Sequence, residues 1–376
     1  MRLHSWERRG RRTLVAAALT TTIVAGTAGW ATGSEQRPST GPPPGTASWR
    51  ADHELGFGLP DPATTSPARV AAFFGGSDAA QRRELVERHP TVVGNLDGAP
   101  VKLRYEANVR ALKAERERVR ARAENPELTQ EDRARARSLI TRYTELLEPG
   151  RQILAFDPRG RGQVAEVYGD LGSASHVSVI VPGSDIDLSS FDRSTDPFGT
   201  PAGMARSLYE ASGGRTAVVA WVGYTTPVGL GPDAATGRLA EAGAPRLARF
   251  VQGLIASGAP RPSVFCHSYG SVVCGLSAAR LATADLVVLG SPGMGVDKVS
   301  ELRTTARVWA ARDDTDWISR VPNVELFGLG HGTDPTDPSF GARRVPAHLA
   351  QGHTGYFVPG TDSLRAFARI ATGDAS

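Results

Sequence analysis

The feature that most restricts what this chain can become is the rhythm of its second half. Short apolar, β-branched runs at 176–181, 216–221, 263–267, 286–290, 306–311 and 324–327 have strand length, whereas 203–212, 238–257, 269–282 and 363–371 have helical spacing. Strands alternating with helices require right-handed crossovers, hence a mostly parallel sheet with helices on both faces. The runs are apolar throughout rather than alternately polar, as strands buried on both faces must be. Two further runs, 151–157 and 163–169, are joined by Pro158-Arg159-Gly160-Arg161-Gly162 and read as a β-hairpin at the front of this unit. The expectation is therefore an α/β domain over 151–376. With 40% hydrophobic and 22% charged residues, the chain can fill such a core.

The first 150 residues read differently. A basic stretch from Arg8 to Arg12 precedes an apolar segment at 14–31, the anatomy of a secretory signal peptide; the rival is an uncleaved single-pass membrane anchor. Either places the body outside the cytoplasm, secreted or associated with the cell envelope. Residues 34–65, rich in Pro, Gly and Ser at their start, read as a flexible linker. Residues 66–150 are mostly helical. Ser66-Pro67 suits an N-cap and first helical position, and Thr129 with Asp132 resembles a capping box. Leu139, Ile140, Tyr143, Leu146 and Leu147 then share one helical face, which makes this region a helical cap or hairpin on the main domain. Charge narrows the partners. The formal charge is +4, but five arginines and only one acid fall before Thr32, so the 43 basic and 39 acidic residues otherwise balance. A nucleic-acid partner, which needs a persistent basic face, is excluded on that ground.

The chemistry concentrates at residues 263–275, Ser-Val-Phe-Cys-His-Ser-Tyr-Gly-Ser-Val-Val-Cys-Gly. A β-branched and aromatic run ends at His267, Ser268 follows, and a helical pattern begins at once. That is the context of a nucleophile elbow, where a sharp turn lifts the serine hydroxyl above the strand end. The Tyr269 N–H then sits at a helix N-terminus, where it can stabilise an oxyanion. The usual G-x-S-x-G has Cys266 in place of its first glycine. A bare S-x-G also starts at Ser39, Ser212, Ser291 and Ser339, but only at Ser268 does it join a strand to a helix.

A lone serine is a poor nucleophile and needs a base with an orienting acid. The loop after 306–311 holds Asp313, Asp314 and Asp316; Asp316, followed by Trp317-Ile318, fits best, with Asp313 the alternative acid. His353, shortly before the closing helix, is the preferred base, and His331, just after the last strand run, the alternative. His267 is expected to point into the scaffold or towards the acid loop. The second oxyanion donor is expected from Pro182-Gly183-Ser184, as the Ser184 N–H. Asp185 and Asp187 beside it would repel an anionic substrate. Trp221 and Tyr224, the insert 189–201 and the loop 224–232 are expected to shape the substrate pocket. Cys266 and Cys274 could form a disulfide, but strand and helix axes about 10 Å apart favour two buried thiols. No histidine pair has ligand spacing and no phosphate-loop or dinucleotide motif occurs, so neither metal nor cofactor is expected.

From Pro67 to Gly373 the chain resembles a family of exported actinobacterial α/β hydrolases known mainly as a domain of unknown function. The residues that carry the resemblance are Val92-Val93-Gly94-Asn95-Leu96-Asp97-Gly98, Phe156-Asp157-Pro158, Val181-Pro182-Gly183, Trp221-x-Gly223-Tyr224 and His267-Ser268-Tyr269-Gly270-Ser271. Further on they are His331-Gly332-Thr333-Asp334-Pro335, Phe340-Gly341-Ala342 and Gly352-His353-x-x-Tyr356. The resemblance implies the α/β-hydrolase fold and a Ser–His–Asp triad but no substrate; the Gly-His-x-x-Tyr segment is also similar to that of cutinase-like esterases. The reading is a serine hydrolase of a small-molecule or lipid-like ester, with a catalytically silent cell-surface binding scaffold as the alternative.

Overall fold

The computed structural model describes residues 35–56, 58–321 and 329–375. The expected signal or anchor segment and the strand expected at 324–327 lie outside the described residues. Eight strands form one sheet in the order β1-β2-β4-β3-β5-β6-β7-β8. In chain order they are β1 Ile153–Asp157, β2 Gln163–Tyr168, β3 His176–Val181, β4 Thr216–Val222, β5 Ser263–His267, β6 Asp285–Leu289, β7 Arg307–Ala311 and β8 Arg343–Arg344. The hairpin β1–β2 is antiparallel and attaches antiparallel to β4, and every later pairing is parallel. This is the α/β-hydrolase fold.

The helices are α1 Thr46–Arg50, α2 Pro67–Gly76, α3 Ala79–Arg88, α4 Pro90–Asn95, α5 Val101–Glu124 and α6 Gln130–Leu146, then α7 Pro201–Ala211, α8 Pro232–Ala235, α9 Arg238–Ala256, α10 Gly270–Ser277 and α11 Asp362–Ala371. The sheet separates two cores because side chains alternate across it. Phe265 of β5 faces one side, against Leu208 of α7 and Phe367 of α11. Val264 and Cys266 face the other, against Leu247 and Val251 of α9 and Val272 of α10. Among the described residues no helix is long and apolar enough to cross a membrane.

The charged helical pair is fastened to the hairpin by a few buried polar groups. Arg104 Nε donates to Gly94 O (3.2 Å) and Leu154 O (3.1 Å), and Asn108 Nδ2 donates to Gly94 O and Ile153 O, each at 3.1 Å. Gly94 has to be glycine here, because a Cβ would stand 2.2 Å from Asn108 Oδ1. The outer faces of α5 and α6 carry Arg–Glu pairs one turn apart, such as Arg118–Glu115 and Arg135–Glu131, which keep them helical in water.

The linker departs from expectation. Gln36 N donates to Asp233 Oδ2 (2.7 Å), Ser39 N to Thr225 Oγ1 (3.0 Å), and Arg238 Nη2 to Gln36 O (2.8 Å). Trp49 is fully buried with Val70, Phe74 and Leu85, its indole donating to Pro60 O (2.8 Å). A Pro/Gly-rich segment has no periodicity, yet its unpaired backbone groups and one tryptophan suffice to dock it as a strap.

Candidate active site

Register sets the site. Val181 pairs with Cys266, His267 with Leu289, and Leu289 with Ala311, so the loops after β3, β5, β6 and β7 leave the sheet at nearly one level. In an open parallel sheet this carboxyl edge is where ligands bind.

Ser268 leaves β5 with φ +53°, a left-handed conformation that costs a non-glycine residue free energy and persists only where surroundings impose it. Its N–H donates to Leu289 O at 3.0 Å. Two glycines make room. A Cβ at Gly183 would lie 2.6 Å from Ser268 Cβ, and one at Gly270 would lie 2.6 Å from Pro182 O and 2.7 Å from Val181 O. The helix after Ser268 thus crosses the end of β3 at backbone contact, and only hydrogen fits at the third position of Ser-x-Gly.

Where the first glycine of the usual motif would stand, Cys266 is bonded to Cys274, with Cα atoms 6.5 Å apart. The preference for two buried thiols is therefore overturned. Axis spacing governs the middle of a strand–helix pair, but at the elbow the two elements converge and bring their ends within bridging range.

Asp316 and His353, the pair preferred from the sequence, are brought together. His353 Nδ1 hydrogen-bonds Asp316 Oδ1 (2.8 Å) and Oδ2 (3.1 Å). Asp316 Oδ2 also accepts from Tyr356 Oη (2.6 Å) and Oδ1 from Ile318 N (2.9 Å), and the residue is buried. Burial opposes ionisation of this carboxyl, but the bonds from His353, Tyr356 and Ile318 outweigh it and hold its pKa below the usual Asp value. Gly290, at φ +52°, lies under the pair: a Cβ there would be 2.9 Å from Asp316 Oδ2 and 3.1 Å from the His353 ring. Trp317 flanks the imidazole with ring centroids 4.5 Å apart.

The alternatives go elsewhere. Asp313 Oδ1 is taken up by Thr315 N (2.9 Å) and the Thr315 hydroxyl, and Asp314 is exposed. His331 Nε2 bonds Ala234 O (2.7 Å), and its ring stands edge-on to Tyr269. It orders the loop behind the elbow and does not meet Asp316.

Two positioning groups escaped the sequence reading. His267 Nε2 donates to the carbonyl of His353 at 2.7 Å, with ring centroids 4.7 Å apart, so it holds the His353 backbone. Burial, then the neighbouring His353, push its pKa down to about 3, which keeps it neutral. Tyr356 Oη also accepts from Asp313 N (3.1 Å), tying both ends of the acid loop. The Gly-His-x-x-Tyr spacing was the available signal for Tyr356; nothing local marked His267.

Among the described residues the amides of Tyr269 and Ser184 have no acceptor, and the Ser268 hydroxyl makes no hydrogen bond. Asp187 is paired with Arg161 (3.0 Å), which weakens the repulsion of anions expected at this loop. Asp185, at φ +65°, holds Pro227 O through its N–H (2.8 Å) and Gly229 N through Oδ1 (2.7 Å). That places the loop 224–232, with exposed Val228 (44%) and Leu230 (64%), beside Ser184. Trp221 and Tyr224 do not line this site. Tyr224 Oη is spent on Pro182 O (2.7 Å), and Trp221 borders a separate cleft.

Residues 157–326 match the family model described as alpha/beta hydrolase. Two relatives, uncharacterized proteins from two strains of Mycobacterium tuberculosis, are each 28% identical over 84% of this chain. The chain spans 57% of their length. Among solved structures, an α/β serine hydrolase without a lid from Xanthomonas campestris is 18% identical, with TM-score 0.37, over 60% of this chain and 95% of that one. An S-formylglutathione hydrolase from Agrobacterium tumefaciens is 12% identical, with TM-score 0.32, over 60% and 99%.

Proposed function

We propose that this chain is an exported serine hydrolase that cleaves a carboxylic ester through an acyl-enzyme. The observation that carries the reading is the buried Asp316–His353 hydrogen bond at the same sheet edge as a serine held in the left-handed elbow conformation. Ser268 Oγ attacks the carbonyl carbon while His353 Nε2 takes its proton. The oxyanion rests between the Tyr269 and Ser184 N–H groups. His353 then gives the proton to the departing alcohol oxygen, leaving Ser268 acylated, and water repeats the sequence to release the acid. Asp316 stays ionised, holds the imidazole with Nε2 free and stabilises the imidazolium. Removing one oxyanion donor in such sites costs about 10²–10³-fold in kcat. The Ser268–His353 hydrogen bond is formed when substrate binds, as is common for catalytic bonds loose in the free enzyme.

The substrate class is a small-molecule or lipid-like ester, whose acyl chain meets the loop 224–232 and the insert 189–201; the apolar Val228 and Leu230 support that placement. The Gly-His-x-x-Tyr segment supports likeness to cutinase-type esterases. The basic and apolar segment at 1–33 supports export from the cytoplasm of an actinobacterium, by cleavage or as a membrane anchor. A fluorophosphonate probe tests the chemistry: it should label the wild type and not Ser268→Ala. Failure to label the wild type would make the chain a silent binding scaffold, and equal labelling of both would remove Ser268 as the nucleophile. Activity lost in His331→Ala but kept in His353→Ala would reverse the choice of base.

A further inference from the structure

A cleft of about 440 Å³ lies away from the serine. Its lining includes Arg104, Arg246, Gln163 and Trp221 but none of Ser268, Asp316 and His353. It lies between the hairpin β1–β2, the end of β4 and the start of α5, with α9 along one wall and Pro42 and Pro43 of the strap at its rim. Three motifs that the serine chemistry leaves unused converge here: Asn95 to Asp97, Asp157, and Trp221 with Gly223. Gly223 admits the indole, since a Cβ would lie 2.1 Å from the Trp221 ring. The size falls within the range of small-molecule sites.

The charges of this cleft do not balance. Arg104, Arg159, Arg246 and Arg249 line it, against Asp97 and Asp157. Asp157 is taken by Arg159, and Asp97 is shared by Arg104 (3.3 Å) and Arg249 (3.7 Å). Arg246 has no carboxylate within 4.0 Å among the described residues. Its Nε is spent on Gly223 O (2.6 Å) and its Nη2 on Gln163 Oε1. Burial lowers its pKa, with Asp157 and Asp97 only partly offsetting. Gln163 is 5% exposed, and its amide nitrogen has no hydrogen-bond partner among the described residues. A half-buried cation with no carboxylate in contact, beside a buried amide without an acceptor, is costly in an empty site, and both want the same thing, an anionic oxygen.

We propose that this cleft binds a small organic anion, a carboxylate or phosphate attached to a flat apolar body. The oxyanion meets the Arg246 guanidinium and the Gln163 amide, whose planar donors suit such groups. The body lies against Trp221 and Phe250. The site is separate from the serine and independent of the function proposed for it.

Isothermal titration calorimetry of the chain with phenyl phosphate and with phenylacetate, at fixed ionic strength and with benzyl alcohol as the neutral control, tests this. One or both anions should bind at one site per chain, whichever binds identifying phosphate or carboxylate as the natural group. Arg246→Met should weaken binding at least 10-fold, the size of one charge-assisted contact. Ala242→Phe, which fills the cleft from α9 without removing a hydrogen bond, should abolish binding while fluorophosphonate labelling of Ser268 persists. It carries the test alone where Arg246→Met does not fold. Binding of neither anion, benzyl alcohol binding as tightly as the anions, or wild-type affinity in either variant would overturn the proposal.

Discussion

Replacing Tyr356 by Phe removes one oxygen atom from the centre of the candidate site and leaves the ring in place. That oxygen donates to Asp316 Oδ2 at 2.6 Å and accepts from Asp313 N at 3.1 Å, in a position closed to solvent. A hydrogen bond to a charged group contributes about 1.5–3 kcal/mol, and the Asp313 N–H left behind costs about 1 kcal/mol more. The expected loss of stability at pH 7 is therefore about 2.5–4 kcal/mol, read from the urea midpoint. Asp316 keeps its bonds from His353 and Ile318, so hydrolysis of a p-nitrophenyl ester should fall about 10-fold rather than vanish. The sign with pH follows from the depressed carboxyl. Its stabilising contribution is complete above the ordinary Asp pKa near 3.9 and is lost as pH falls through the lower native value. The deficit of Tyr356→Phe should accordingly shrink in strong acid. A double-mutant cycle with Asp316→Asn isolates the pair and should give a coupling of about 1–2 kcal/mol. A deficit under about 0.5 kcal/mol at pH 7, or a coupling near zero, would refute the account of Tyr356 as a positioning residue.

Two further outcomes follow from the same region. Reducing the Cys266–Cys274 bridge, or changing both cysteines to Ala, should cost about 2–3 kcal/mol by the loop-closure relation for a loop this short, read as a lower urea midpoint; an unchanged midpoint would count against the bridge. His267 is neutral in the native state with a pKa of about 3, whereas unfolded histidine takes up a proton near 6.5. The unfolded chain then binds more protons between those values, so stability should fall as pH drops below about 6.5, by up to about 1.4 kcal/mol per unit from this group. His267→Gln should flatten that slope and lower kcat more than it raises KM, and equal slopes for both proteins would exclude the buried neutral histidine.

Much of the site was legible because its parts are local. The strand, Ser268 and the helix after it are contiguous, and Asp316 follows directly on a strand whose end is marked by composition. That His353 rather than His331 meets Asp316 was legible through the short spacing to Tyr356. Other parts depend on which distant segments meet. Of the expected pocket residues, Trp221 borders a separate cleft and the Tyr224 hydroxyl is spent on Pro182 O, contacts set by a strand order that chain sequence does not state. β8, two residues long, and the six-residue α4 are too short to leave a periodic signal. The strap over residues 35–48 looked unstructured because loops fastened by backbone hydrogen bonds need no side-chain pattern.

The amino-acid sequence by itself determined the α/β class, the elbow at Ser268, the acid loop and the body's balanced charge, since each rests on neighbours in the chain. The tertiary structure alone decided that Cys266 reaches Cys274, that His267 holds His353, and that the unused motifs close a separate cleft around Arg246. The physical reason is range. Propensity and turn chemistry act over a few residues, whereas a hydrogen bond spanning 86 positions, as between His267 and His353, exists only once the sheet order has brought its ends together.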